Sequence, residues 1–208
     1  MKQVYIHGLG QTPASWEKTI TNLKNDKEIV CPNLSEFVQK DEVNYKNLFN
    51  GFSNICNKID GSIDLCGLSL GGVLALNYAI DYPEKVHSMV LIAAQYKMPK
   101  KMLKFQNAVF RFMPKSMFQQ MGFTKKEFIE ICRTMMELDF SKSLHKVSCP
   151  VLVVCGEKDS ANKKASMELA GILENAELQV MNEAGHEVNV EAPKELAEII
   201  GDFYDRIA

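Results

Sequence analysis

The residues with the clearest chemical potential in this 208-residue chain are Ser69, Asp159 and His186. Ser69 lies in Gly67-Leu68-Ser69-Leu70-Gly71-Gly72, after an apolar strand-like run and before a helical pattern. In that context Gly-x-Ser-x-Gly makes a strand-to-helix turn so tight that glycines must stand where the backbone crosses itself. The serine is then held strained, with its hydroxyl exposed. A free hydroxyl is a poor nucleophile and needs a base. His186, in Ala184-Gly185-His186, is the one histidine in a loop beyond a late strand, whereas His87 opens a strand and His145 closes a helical segment. Asp159 follows Val151–Glu157, where an apolar run enters a glycine turn. Its chemistry would be to orient a histidine and stabilise the imidazolium. Glu157 competes for that role, and the plain alternative for Asp159 is to cap the next helix. The position of Asp159 after the turn favours it as the acid.

A second loop bears on the same chemistry. His7-Gly8-Leu9-Gly10 follows the first strand-like run. A loop in that place supplies one backbone N–H to a developing oxyanion, and the residue after the nucleophile supplies another. The donors would be the amides of Leu9 and Leu70. His7 itself reads as a structural residue holding the loop. The pattern requires no metal and no organic cofactor. His186-Glu187 does not open a His-Glu-x-x-His zinc motif, because position 190 is valine. The glycines spell neither a dinucleotide-binding nor a P-loop fingerprint.

These loops need strands to carry them. The strand candidates are Gln3–His7, Glu28–Cys31, Ser62–Cys66, Val86–Ala93, Val151–Cys155 and Glu177–Met181. Helical patterns fill the gaps: Pro13–Lys24, Glu42–Ile59, Leu70–Ile80, Ala161–Leu173 and Pro193–Ile207. Such alternation predicts an α/β fold, a three-layer sandwich around a parallel sheet of about six strands. Between Tyr96 and Val147 the alternation stops. Met98–Phe112 and Thr124–Leu138 read as helices, the second opened by a capping box at Thr124 and Glu127. This 96–147 segment holds seven of the eleven methionines and seven of the eleven phenylalanines. It is expected to form a small helical cap inserted in a single 1–208 domain. Met98, Met102 and Phe105 from the cap, with Gly8 and Gly10 from the loop, are the candidate substrate-binding residues. The apolar side chains either line a pocket or pack the cap onto the sheet. The segment is also basic, with eleven lysines and arginines against four carboxylates. That charge either solvates the helix faces or attracts anionic substrates or acidic lipid.

Composition sets the outer limits. At 46% hydrophobic, 24% charged and a net charge of −2, the chain is ordinary globular protein and carries no nucleic-acid footprint. No apolar run is long enough for a stable membrane insertion, and no signal-peptide pattern opens the sequence, so a cytoplasmic location is expected. The six cysteines, without a Cys-x-x-Cys pair, read as reduced and mostly buried thiols. A monomer or homodimer is expected.

Taken in order, the His-Gly-Leu-Gly loop, the Gly-Leu-Ser-Leu-Gly-Gly turn, Gly-Glu-Lys-Asp and Gly-His-Glu make nearly the whole chain resemble the α/β-hydrolases. The resemblance implies a catalytic triad of Ser69, Asp159 and His186 and the oxyanion hole named above. It implies a serine hydrolase acting on a small-molecule ester or thioester. A lyase or C–C bond hydrolase on the same fold, or a receptor that binds without turnover, are the alternatives. The menaquinone-pathway synthase branch tends to have arginine just after the turn glycines, where this chain has Val73. The chain also departs from the family pattern by lacking an initial strand pair. The usual antiparallel second strand is then missing, which predicts an all-parallel sheet with Glu28–Cys31 on an exposed edge.

Overall fold

The computed structural model describes residues 1–24, 26–38, 42–119 and 122–208; Met121, one of the methionines counted above, lies outside them. Six strands form one sheet: β1 (Lys2–Ile6), β2 (Ile29–Val30), β3 (Ile63–Leu68), β4 (Val86–Ile92), β5 (Val151–Gly156) and β6 (Ala176–Met181). Their order is β2-β1-β3-β4-β5-β6, and every pairing is parallel. All six expected strands are present, and β2 is an edge as predicted. That edge is only two residues long and is flanked by a Lys2–Glu28 ion pair at 2.6 Å, two features that discourage pairing with another chain.

Alternation along the central strands sends successive side chains into two cores. Val4, Leu65, Leu91 and Val153 enter one, while Tyr5, Cys66, Val90 and Leu152 enter the other. Helices α2 (Tyr45–Asn57), α3 (Leu70–Asp81) and α7 (Lys163–Ile172) cover the first face, and α1 (Glu17–Asn22), the short α8 (Val188–Glu191) and α9 (Pro193–Ile207) cover the second. The expected Pro13–Lys24 helix begins instead as a 3-10 turn over Pro13–Trp16 before α1. Trp16 and Tyr5 meet edge-on beneath it, with ring centres 5.2 Å apart.

Between β4 and β5 the chain forms α4 (Lys100–Phe112), α5 (Ser116–Gln119) and α6 (Lys125–Met135). The capping box is present: Glu127 N–H donates to Thr124 Oγ1 at 3.3 Å, and Thr124 N–H donates to Glu127 Oε2 at 2.6 Å. Phe110, Phe118 and Phe128 form a cluster of edge-to-face rings within this insertion. All six cysteines are free thiols, and Cys56, Cys66, Cys132 and Cys155 are buried. Among the described residues no helix is long and apolar enough to cross a membrane.

Candidate active site

Parallel strands place their carboxyl ends at one edge of the sheet. The loops after β1, β3, β5 and β6 bring His7–Gly10, Ser69, Asp159 and His186 to that edge. Ser69 follows β3 directly, with φ +53° and ψ −113°. A non-glycine residue holds such a backbone only when its surroundings over-determine it. Here Ser69 N–H donates to Ile92 O at 2.8 Å, and Ser69 O accepts from Val73 N–H at 3.0 Å. A side chain on Gly67 would collide with the Gly71 carbonyl, and one on Gly71 would collide with Ile6 O. The glycines are therefore set by backbone crossing, as the motif requires.

Asp159 and His186 meet at the next two strand ends. His186 Nδ1 lies 2.7 Å from Asp159 Oδ2. Gly156 lets their loops touch, since a side chain there would strike the Ala184 and Gly185 carbonyls. The hydrogen bond to Asp159 raises the His186 pKa above its usual 6.5, against the opposing effect of burial. Burial pushes Asp159 up, but hydrogen bonds from His186 and Asn162 hold its carboxyl below the ordinary range. Glu157 takes no part: it is exposed, and its Oε2 accepts from Glu183 N–H at 3.0 Å.

Two residues of this network were not evident in the sequence. Asn162 donates through Nδ2 to both Asp159 oxygens at 2.9 Å, and Gln95 Nε2 donates to Asn162 Oδ1 at 2.8 Å. An asparagine at a helix start reads as a helix cap. At α7 its side chain caps nothing and holds the carboxylate instead.

Ser69, Asp159 and His186 open onto one cavity of about 480 Å³. Met98, Met102 and Phe105 line it, together with Leu70, Val73, Leu103 and Met135. Gly8 and Gly10, expected beside the substrate, are not among its lining residues. Gly8 packs against Leu68 and Ser69, and Gly10 takes a left-handed turn at φ +96° beside a separate, smaller cleft. Their role is to fold the loop, a task for which glycine's missing side chain suits them. Leu9 also lies outside the lining, half-buried against the core. Among the described residues neither its amide nor that of Leu70 donates to a protein acceptor. His7 is structural. It is buried, its Nε2 accepts from Leu34 N–H at 3.2 Å, and burial lowers its pKa, so it stays neutral.

A second His–Asp contact lies at the opposite edge of the sheet. There His87 Nδ1 and Ser88 Oγ both bond Asp64 Oδ1, at 2.8 and 2.7 Å. Because both groups converge on one carboxylate oxygen, this cluster ties β3 to β4 and presents no serine to a base. Among the described residues no group of His, Cys, Asp and Glu side chains is arranged to hold a metal ion.

Known proteins share this frame. The chain resembles the monoacylglycerol lipase ABHD6 of Mus musculus, with 25% identity over 160 residues, covering 67% of this chain and 48% of that protein. It thus spans about half the length of that relative. An esterase from Thermogutta terrifontis superposes with a TM-score of 0.82 at 18% identity, covering 100% of this chain and 90% of its own. MenH from S. aureus superposes with a TM-score of 0.83 at 18% identity, covering 100% and 94%. The family model described as the alpha/beta hydrolase family runs over residues 3–199, from β1 into α9 and through every loop of the site. The chain is a member of the alpha/beta hydrolase family.

Proposed function

We propose that this protein is a serine hydrolase of neutral carboxylic esters or thioesters with an apolar acyl or alkyl chain. The observation that carries the reading is the strained Ser69 sharing one apolar cavity with a His186–Asp159 pair held at 2.7 Å. In this reading Ser69 Oγ attacks the acyl carbon while His186 Nε2 takes its proton. Asp159 accepts from Nδ1–H, which fixes the tautomer and stabilises the imidazolium. The amides of Leu9 and Leu70 receive the oxyanion, a role whose loss typically costs roughly 2.7–4 kcal/mol per donor. His186 returns the proton to the leaving alcohol or thiol. It then activates water to release the acyl group and restore Ser69.

The 96–147 insertion acts as a cap that sets the substrate. Its Met98, Met102 and Phe105 give the cavity adaptable apolar walls, suited to chains of varied shape. Among the described residues the lining holds no arginine or lysine, and Val73 within it offers no charge. This favours neutral substrates over an acid such as that named for the putative 2-succinyl-6-hydroxy-2,4-cyclohexadiene-1-carboxylate synthase of Bacillus subtilis. The names of ABHD6 and of the thermophilic esterase agree with ester hydrolysis.

A fluorophosphonate probe tests the nucleophile. It should label the wild type irreversibly at Ser69 and leave Ser69→Ala unlabelled. Label on another residue, or none on a folded wild type, would remove the serine mechanism and favour a binding protein.

A further inference from the structure

The outer face of α4 has no protein partner among the described residues. Leu103, Asn107 and Phe110 turn inward, while Phe105 is 72% and Phe112 90% exposed on the opposite side. The two phenylalanines are seven residues apart, so they stack two turns apart along one ridge. An aromatic ring almost wholly in water is costly and calls for an occupant.

The flanks of the ridge differ. At helical spacing Lys101, Lys104 and Arg111 fall on one side, and Met102 and Val109 on the other. Met102, Val109 and the ridge residue Phe105 line the cavity that holds Ser69, so Phe105 stands at its rim; Phe112 and the three cations do not line it. Around the helix the order is therefore cationic flank, aromatic ridge, cavity mouth. α4 contains four cations and no carboxylate. Lys100 pairs with Glu137 at 2.6 Å and Lys104 adds its charge to that carboxylate from farther away, but among the described residues Lys101, Lys104 and Arg111 form no close ion pair. A helix that is apolar on one side and basic beside it suits the interface of an anionic bilayer. There the rings enter the acyl boundary and the cations meet headgroup phosphates. A two-fold contact with a second copy would instead bring equivalent cationic flanks close together.

We propose that α4 docks this protein on anionic lipid surfaces through Phe105 and Phe112, with Lys101, Lys104 and Arg111 on the headgroups. The cavity mouth then opens along the bilayer and takes its ester from it. This last step rests on the hydrolase reading above; the docking does not.

The test is co-sedimentation with vesicles of phosphatidylcholine alone or mixed with phosphatidylglycerol. Wild type and Ser69→Ala should bind the mixed vesicles equally, bind phosphatidylcholine more weakly, and release as salt rises. Phe112→Ser should weaken binding about tenfold. Lys101→Glu with Arg111→Glu should weaken it by at least about fivefold for each charge removed. All these surface variants except Ser69→Ala should hydrolyse a short soluble ester as the wild type does. Failure to bind mixed vesicles, or binding that ignores both sets of substitutions, overturns the proposal. So does self-association in sedimentation velocity that Phe112→Ser abolishes without any vesicle binding. If vesicles bind as described but no soluble ester is turned over, the hydrolase reading fails and the docking stands.

Discussion

In the proposed mechanism Ser69, His186 and Asp159 work as one unit. His186 must be neutral to accept the serine proton. Its hydrogen bond to Asp159 raises its pKa above 6.5, so kcat/KM should rise with pH along a limb centred above that value. Asp159→Asn removes the charge that favours the protonated ring and presents the wrong hydrogen-bonding group to Nδ1. The limb should move to lower pH while kcat falls about 10⁴-fold. A limb unmoved by that change would assign the titration to another group. Asn162→Ala takes two donors from the carboxylate and leaves it more basic. The acidic limb should then shift upward and kcat should fall about tenfold; unchanged values would make Asn162 merely structural. The placement of Ser69, Asp159 and His186 at strand ends was legible because each follows a strand with its own glycine turn. Asn162 and Gln95 were not, because Asn162, three residues past Asp159, reads as a helix cap, and Gln95 reaches it from the end of a different strand. That Gly8 and Gly10 lie outside the cavity lining was not legible, because a glycine that folds a loop and one beside a substrate look alike in sequence.

The elements that hold these residues depend on backbone contact at particular glycines. Gly71 touches the end of β1, and a methyl there would collide with Ile6 O. Gly71→Ala should cost about 3 kcal/mol, read as a lower denaturant midpoint. Gly201 in α9 has open space where a Cβ would go. Gly201→Ala should therefore stabilise the fold by about 0.5–1 kcal/mol through helix propensity alone. Equal effects at the two positions would deny that the turn is built on backbone crossing. The strands were legible because their apolar runs are short and bounded by turns. The capping box was legible because Thr124 and Glu127 sit at the required spacing. The 3-10 start before α1 was not, since the pattern Pro13–Lys24 fits either helix type over so few residues. The two cores became visible only with the sheet, because strands buried on both faces show little contrast between odd and even positions.

At the scale of the molecule, all the candidate chemistry lies at one edge of a parallel sheet, beneath a basic and partly apolar insertion. The rest of the chain carries the acidic charge. The insertion's cations lie outside the cavity lining, so salt should leave the turnover of neutral soluble esters unchanged. A strong salt dependence for those substrates would place a cation near the reacting atoms. Family membership establishes the frame, but substrate choice belongs to the cavity walls. The most direct test of the central claim is hydrolysis of a p-nitrophenyl ester series from acetate to decanoate by wild type and Ser69→Ala side by side. Wild type should turn over these esters, with an optimum beyond acetate set by the Met98, Met102 and Phe105 walls, and Ser69→Ala should fall to the blank. Hydrolysis that survives Ser69→Ala, or a folded wild type inert on every ester, would contradict it.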